Sequence, residues 1–81
     1  MIKIKLKCFS QVRYALDTDE MVFELNDGAT SDDLEKIVRE KASGKLNDVT
    51  LSIAINKKYI LNNTQLNDGD EIAFIPPVQG G

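Results

Sequence analysis

The segment IKIKLKC, residues Ile2–Cys8, alternates apolar and polar side chains, with lysine at every second position between its apolar residues. A period of two predicts a β-strand with one buried face, because successive side chains of a strand point to opposite sides. The lysines would face water, and the inward face would carry Ile2, Ile4, Leu6 and Cys8. A fold built on this strand needs partner strands beside it and an apolar element over its inward face.

Candidate partner strands follow along the chain, with turn signals between them. Ser10–Asp19 is typical of a loop or a short turn-helix, which would let the first two strands form a hairpin. Asn56–Lys58 resembles a turn, and NDGD at residues 67–70 is a strong turn signal. The predicted strands are Glu20–Leu25, Val49–Asn56, a short return strand Tyr59–Leu61, and Glu71–Ile75, which Pro76 closes because proline cannot continue a central ladder.

One amphipathic helix is predicted between the second and third strands. Thr30 is a suitable N-cap, Asp33 approximates the acidic position of a capping box, and Gly44 is a plausible stop. A single buried stripe would contain Leu34, Ile37, Val38 and Ala42. The fold class is therefore α+β, a mixed sheet of four to five strands with one main helix packed on one face.

Composition excludes several classes of function. The chain of 81 residues has a net charge of -3 with scattered basic residues, so we expect neither nucleic acid nor membrane as a partner. It contains no histidine and one cysteine, which predicts no metal site of the usual spacing and suits the reducing cytoplasm. No glycine-rich nucleotide-binding motif occurs, so we predict that the chain is not an enzyme on its own and binds no cofactor directly.

Two groups of residues have competing interpretations. Cys8 shares the parity of the buried strand face, which favours a core thiol over a reactive one. Asp68, Asp70 and Glu71 crowd one turn and could suggest calcium, but turn chemistry explains them better because their spacing misses the calcium-binding loop.

Parity also marks apolar residues that leave the inward phase. Phe9 follows the inward-facing Cys8, and Ile75 follows the inward-facing Phe74. Clustered exposed apolar residues indicate an interface, whereas single ones mean little. At this point a contact surface and a second small core formed by loop residues are equally acceptable.

The C-terminal stretch FIPPVQGG, residues 74–81, is the strongest functional signal. Pro76 and Pro77 fix φ twice and favour an extended exit, and the six residues from Pro76 could span on the order of 20 Å. Gly80 and Gly81 have no Cβ, so they could thread a narrow channel and leave the final carbonyl open to attack. We therefore expect a domain at residues 1–75 and a functional tail at 76–81, rather than a frayed end. Activation of the terminal carboxylate would have to come from a partner.

The segments CFSQVR, LNDGDEIAF and FIPPVQGG together resemble the small, sulfur-carrying subunit of molybdopterin synthase, over essentially the whole chain. The resemblance implies a β-grasp, ubiquitin-like fold with the first and last strands parallel at the sheet centre. It implies that an adenylyltransferase of the ubiquitin-activating type uses ATP to adenylate the C-terminal glycine, and that a sulfurtransferase system makes a thiocarboxylate. The tail would then enter the large subunit of a heterotetramer and donate sulfur to cyclic pyranopterin monophosphate in molybdenum cofactor biosynthesis.

The same resemblance implies roles for individual residues. Gly81 would bear the sulfur, Gly80 would give clearance, and the docking stem would comprise Pro76, Pro77 and Val78. An apolar patch for the partner would comprise Phe9, Tyr59 and Ile75. Ile75 stands where an aromatic residue is common and Tyr59 where an aliphatic one is common, which leaves the packing open. Arg13 lies in the shared QVR segment, with solvated surface as its simpler interpretation.

Three rival functions remain open at this stage. A thiamine-type sulfur carrier also ends in Gly-Gly but tends to be shorter and to lack the PPV stem. A ubiquitin-like protein modifier would use the same activation with a lysine amine as acceptor. An interaction module with an inert tail is the third.

Overall fold

A computed structural model of the chain describes residues 1–76. Within this range the chain forms two helices, α1 (Ser10–Leu16) and α2 (Ser31–Lys41). The same range contains five strands, β1 (Ile2–Cys8), β2 (Glu20–Leu25), β3 (Ser52–Ile55), β4 (Lys58–Ile60) and β5 (Glu71–Ile75). Three of the predicted strands, now β1, β2 and β5, have the predicted bounds.

The strands form one mixed sheet in the order β2-β1-β5-β3-β4. β1 pairs antiparallel with β2, as a hairpin requires, and parallel with β5 in a register that places Cys8 beside Phe74. β3 lies antiparallel to both β5 and β4. The α+β class, the mixed sheet and the parallel central pair are therefore confirmed.

The predicted third strand was too long, because the chain joins the sheet only at Ser52. Before that point, Arg39 of α2 donates hydrogen bonds to the backbone carbonyls of Leu46 and Val49, the second at 2.9 Å between Nη2 and the oxygen. Glu35 orients the same guanidinium, with 2.9 Å between its Oε2 and Arg39 Nε. The alternating residues that begin at Val49 therefore lie first in a loop, which Arg39 holds, and only from Ser52 in a strand.

The return strand also lies one residue earlier than predicted. Asn56 and Lys57 both have positive φ, 51° and 72°, which forms the tight turn between β3 and β4 and starts β4 at Lys58. Leu61 lies outside the strand and is 97% exposed. Two positive φ values are typical of hairpin turns that match the twist of the strands.

The predicted helix is present with its predicted cap. Thr30 Oγ1 accepts a hydrogen bond from the Asp33 N–H at 3.3 Å, and the Asp33 carboxylate accepts one from the Thr30 N–H at 2.9 Å. This reciprocal pair is a capping box with aspartate in the acidic position. The helix ends at Lys41, and Gly44 follows with a φ of 88°.

The core lies between α2 and one face of the sheet. Residues from both, such as Leu34, Val38, Leu6 and Phe74, are fully buried in a single cluster. The segment expected to be a loop or short turn-helix is the helix α1, which adds Val12 to that cluster. Within residues 1–76, neither helix is long and apolar enough to cross a membrane.

Candidate functional site

A groove of about 740 Å³ lies on the outer face of the sheet, which is the face opposite the core. Its lining includes the three residues predicted as an apolar patch, namely Phe9, Tyr59 and Ile75. Two alanines, Ala54 of β3 and Ala73 of β5, face each other in the register at its centre. We refer to this feature as the outer groove.

Strand parity explains why the three larger residues meet there. Ile75 follows the fully buried Phe74, so it points to the outer face, and Tyr59 is opposite Ala54 in the β3–β4 pair. Phe9 leaves β1 in an extended conformation as the N-cap of α1 and stays 47% exposed, while Tyr59 is 66% exposed. Neither of these aromatic residues belongs to the core cluster. The geometry therefore favours a surface patch over a second small core.

The alanine floor of the groove was not among the residues predicted from the sequence. Ala54 and Ala73 occupy outward positions in SIAI and EIAFI, where the alternation would otherwise place polar or larger side chains. Their small size and outward parity are visible in each segment, but the β3–β5 register is needed to show that the two alanines face each other. Lys57, from the β3–β4 turn, was also missed as a member of the lining.

Ion pairs surround the apolar floor. Lys7 Nζ lies 3.0 Å from Glu20 Oε2 and 3.9 Å from Glu71 Oε1. The hydrogen bond to Glu20 raises the pKa of Lys7, and the hydrogen bond from Lys7 lowers the pKa of Glu20. Both shifts favour the charged forms, so this pair stays ionised around neutral pH.

Arg13 also lines the outer groove, and it has a partner within the chain. Its Nε lies 2.7 Å from Asp19 Oδ1, with both side chains mostly exposed. This arrangement agrees with the interpretation of Arg13 as solvated surface, since an exposed pair contributes little stability.

Cys8 is a core residue, as its parity predicted. It is 4% exposed and belongs to the main apolar cluster with Leu6 and Phe74. Burial raises the pKa of its thiol, with a smaller contribution from Asp19. A buried thiol with a raised pKa is a poor nucleophile.

The acidic residues at the turn before β5 serve the backbone. The Asp70 carboxylate accepts hydrogen bonds from the Asn67 N–H at 2.8 Å and from Asn56 Nδ2 at 3.0 Å. Asp68 Oδ1 accepts one from the Lys3 N–H at 2.7 Å. Turn chemistry, which the sequence analysis preferred over calcium binding, therefore accounts for the carboxylates of both residues.

The tail begins at one end of the outer groove. Pro76 is buried and follows β5 directly, and the parallel register places the end of β5 beside Cys8 and thus close to Phe9. The roles expected of Pro77, Val78, Gly80 and Gly81 lie outside the described residues. The structure thus joins the predicted patch to the start of the predicted tail.

Comparison with known proteins identifies relatives over nearly the whole chain. The model of the ThiS family matches residues 6–81. A Chlamydomonas reinhardtii protein named molybdopterin synthase sulfur carrier subunit is 38% identical, over 99% of this chain and 100% of its own length.

Two solved structures extend the comparison. A putative molybdopterin converting factor, subunit 1, from Pyrococcus furiosus has a TM-score of 0.86 and 28% identity, over 96% of this chain and 100% of that chain. A complex of subunits 1 and 2 of the molybdopterin-converting factor from Helicobacter pylori contains a chain with a TM-score of 0.69 and 30% identity, over 99% of this chain and 100% of that chain. The β-grasp, ubiquitin-like fold expected from the resemblance is confirmed.

Proposed function

The chain belongs to the ThiS family, and on that premise we propose that it is the sulfur carrier subunit of a molybdopterin synthase. The observation that carries the proposal is the junction of the outer groove and the tail at Ile75 and Pro76. A partner that covers the groove would meet the tail at its first residue. That is the arrangement a carrier needs to deliver its last residue into a partner's active site.

The relatives favour the molybdopterin pathway over the thiamine pathway. The Chlamydomonas protein carries the molybdopterin synthase name across its full length, and the Helicobacter complex contains a second subunit. The PPV stem at Pro76–Val78 supports the same choice. We therefore take the large subunit of the synthase as the partner of this chain, in a heterotetramer that works in the cytoplasm.

The proposed chemistry takes place at Gly81. The carboxylate of Gly81 attacks the α-phosphate of ATP in an adenylyltransferase of the ubiquitin-activating type, and pyrophosphate leaves. Sulfur at the oxidation level of sulfide, supplied by a sulfurtransferase system, displaces AMP and leaves a thiocarboxylate. The thiocarboxylate sulfur then attacks a side-chain carbon of cyclic pyranopterin monophosphate and displaces an oxygen from it. Water cleaves the acyl–sulfur bond, which leaves the sulfur on the pterin and restores the carboxylate.

In this scheme the chain's own residues bind the large subunit and position the tail, and the partners supply the catalytic groups. Gly80 and Gly81 pass a narrow channel because they lack Cβ. The stem of Pro76, Pro77 and Val78 limits the directions in which the tail can leave the sheet. The patch of Phe9, Tyr59 and Ile75 buries apolar surface against the large subunit.

Intact-mass analysis after co-expression tests the proposal. The chain is produced with its host's adenylyltransferase and a sulfur source, beside a variant that lacks Gly81. We expect the mass increase of one oxygen-to-sulfur replacement in the parent and none in the variant. The purified large subunit and the pterin substrate are then added, and molybdopterin is measured.

Each alternative gives a different result in the same experiment. Covalent conjugates with other proteins would indicate a modifier, and an unmodified tail, under conditions that modify a known carrier, would indicate an inert module. Sulfur that loads onto Gly81 but does not reach the pterin would favour the thiamine-type carrier. Any of these three results contradicts the proposed function.

A further inference from the structure

The outer groove is charged differently from the chain as a whole. Among residues 1–76, its lining contains three cations, Lys7, Arg13 and Lys57, against two anions, Asp19 and Glu71, whereas the whole chain carries a net charge of -3. Lys7 and Arg13 each have an acidic partner within hydrogen-bonding distance. Among residues 1–76, no carboxylate forms an ion pair with Lys57. Within this part of the chain, Lys57 is therefore the groove cation with which a partner's carboxylate could pair.

Lys57 lies at the end of the groove away from the tail. Lys57 is in the turn that follows Ile55, and Ile55 pairs with Ile72 near the start of β5. Ile75, after which the tail begins, is at the other end of β5 and pairs with Ser52. The three residue steps from Ile72 to Ile75 correspond to about 10 Å along the strand. The apolar floor of Ala54 and Ala73 lies between these two ends.

We propose that the outer groove binds two neighbouring groups of its partner. One is a bulky apolar side chain that packs over Ala54 and Ala73, and the other is a carboxylate that pairs with Lys57. This inference rests on the proposed function, because the occupant is taken to be the large subunit of the synthase. That subunit must cover the Ile75 end of the groove to receive the tail. The inference extends its contact along β5 to the opposite end.

The side chains around the floor fit this occupant. The two alanines form a shallow floor, with Phe9 and Tyr59 available as walls. Ala54 is only 5% exposed and Ala73 is partly exposed, so an inserted side chain would contact chiefly Ala73 and the walls. An apolar side chain contributes most to binding where its pocket becomes desolvated in the complex.

Arg13 pairs with Asp19, and Lys7 pairs with both Glu20 and Glu71, so each anion of the described lining already has a cation within the chain. A carboxylate of the partner is thus directed to Lys57, and this pair fixes the orientation of the partner on the groove.

Charge reversal at two adjacent lysines tests the carboxylate. Lys57 lines the groove, whereas Lys58 is the first residue of β4, is exposed and is absent from the lining, so it is a matched control. The dissociation constant for the purified large subunit is measured near 0.15 M salt, where distant charges are largely screened. We expect Lys57→Glu to raise it about tenfold or more, because two like charges would face each other, and Lys58→Glu to raise it less than about threefold.

Filling the groove tests the apolar half. Ala73→Leu places a larger side chain on the floor, and Thr50→Leu adds the same bulk at an exposed position of the loop before β3. We expect a loss of binding of about tenfold or more for the first and little change for the second. Thermal unfolding of every variant verifies that it is folded before binding is compared.

The results separate this inference from the proposed function. If the parent is thiocarboxylated and binds the large subunit, but Lys57→Glu and Lys58→Glu bind equally well, the carboxylate contact is wrong and the carrier function stands. If Ala73→Leu binds as the parent does, the seated side chain is wrong. If the parent itself does not bind the large subunit, the proposed function fails, and this inference fails with it.

Discussion

The alternation of side chains along each strand determines which face of the sheet a residue occupies, and this alternation was readable from the sequence. Ile2, Ile4, Leu6 and Cys8 are buried as the alternation in β1 requires, and Phe9 leaves that phase. Parity could not reveal that Arg39 would bind two loop carbonyls, because that contact depends on where the loop returns to the helix. Local pattern thus predicts which way a strand residue points, and only the folded chain shows what a long side chain reaches.

The buried thiol of Cys8 gives a prediction for a single residue. Cys8→Ala is expected to cost about 1–2 kcal/mol of unfolding free energy, because it leaves a small gap in the core. The variant is nevertheless expected to load and transfer sulfur at the parent's level, since the thiol is buried and its pKa is raised. Intact mass and molybdopterin formation are the two measurements. A folded Cys8→Ala protein that accepts no sulfur would show that Cys8 takes part in the chemistry.

Secondary structure elements were predictable where their ends carry their own signals. The capping box at Thr30 and Asp33 fixes the start of α2, and the NDGD turn fixes the start of β5. The helix α1 was less clear, since its N-cap Phe9 offers no side-chain cap and its first residue, Ser10, has a φ of 50°. Burial of Val12 in the core accompanies this helix, and such tertiary packing commonly outweighs weak local propensity.

Removal of the cap tests the account of α2. Thr30→Ala is expected to lower the free energy of unfolding by about 1 kcal/mol, because the Asp33 N–H loses its acceptor. In a domain of this size that corresponds to a fall of roughly 4–8 °C in Tm.

The control for this prediction is Thr50→Ala, at an exposed loop position, for which we expect a change within about 0.5 kcal/mol. Urea unfolding of both variants supplies the comparison. Equal stabilities of the two variants would mean that the capping box contributes nothing to the fold.

The whole molecule brings distant segments together at the end of the parallel pair. β1 and β5 come from opposite ends of the chain, and their register places Phe9 next to the exit of the tail. Residue patterns alone predicted the strands but not their order, and the parallel centre was expected only from the family resemblance. The alanine floor and Lys57 were missed because no single segment contains the groove.

The position of Ile75 in the outer groove predicts that a substitution there affects binding more than folding. Ile75→Asp is expected to weaken binding to the large subunit about tenfold or more, by placing a charge in an apolar contact. Because Ile75 lies on the outer face and outside the core cluster, its effect on unfolding is expected to be smaller than its effect on binding. Leu61→Asp is the control, since Leu61 is fully exposed and does not line the groove. Binding is measured by calorimetry, and stability by thermal unfolding, for both variants. If Ile75→Asp kept the parent's affinity, Ile75 would not contact the large subunit.

The most direct test of the central claim is a single-turnover transfer assay with the complete synthase. The parent chain and a variant without Gly81 are each exposed to the adenylyltransferase and the sulfur source, mixed with the large subunit and the pterin, and assayed for molybdopterin. We expect one sulfur to leave each loaded parent chain and no product above background from the variant. Equal product from both proteins would contradict the assignment of Gly81 as the sulfur-bearing residue.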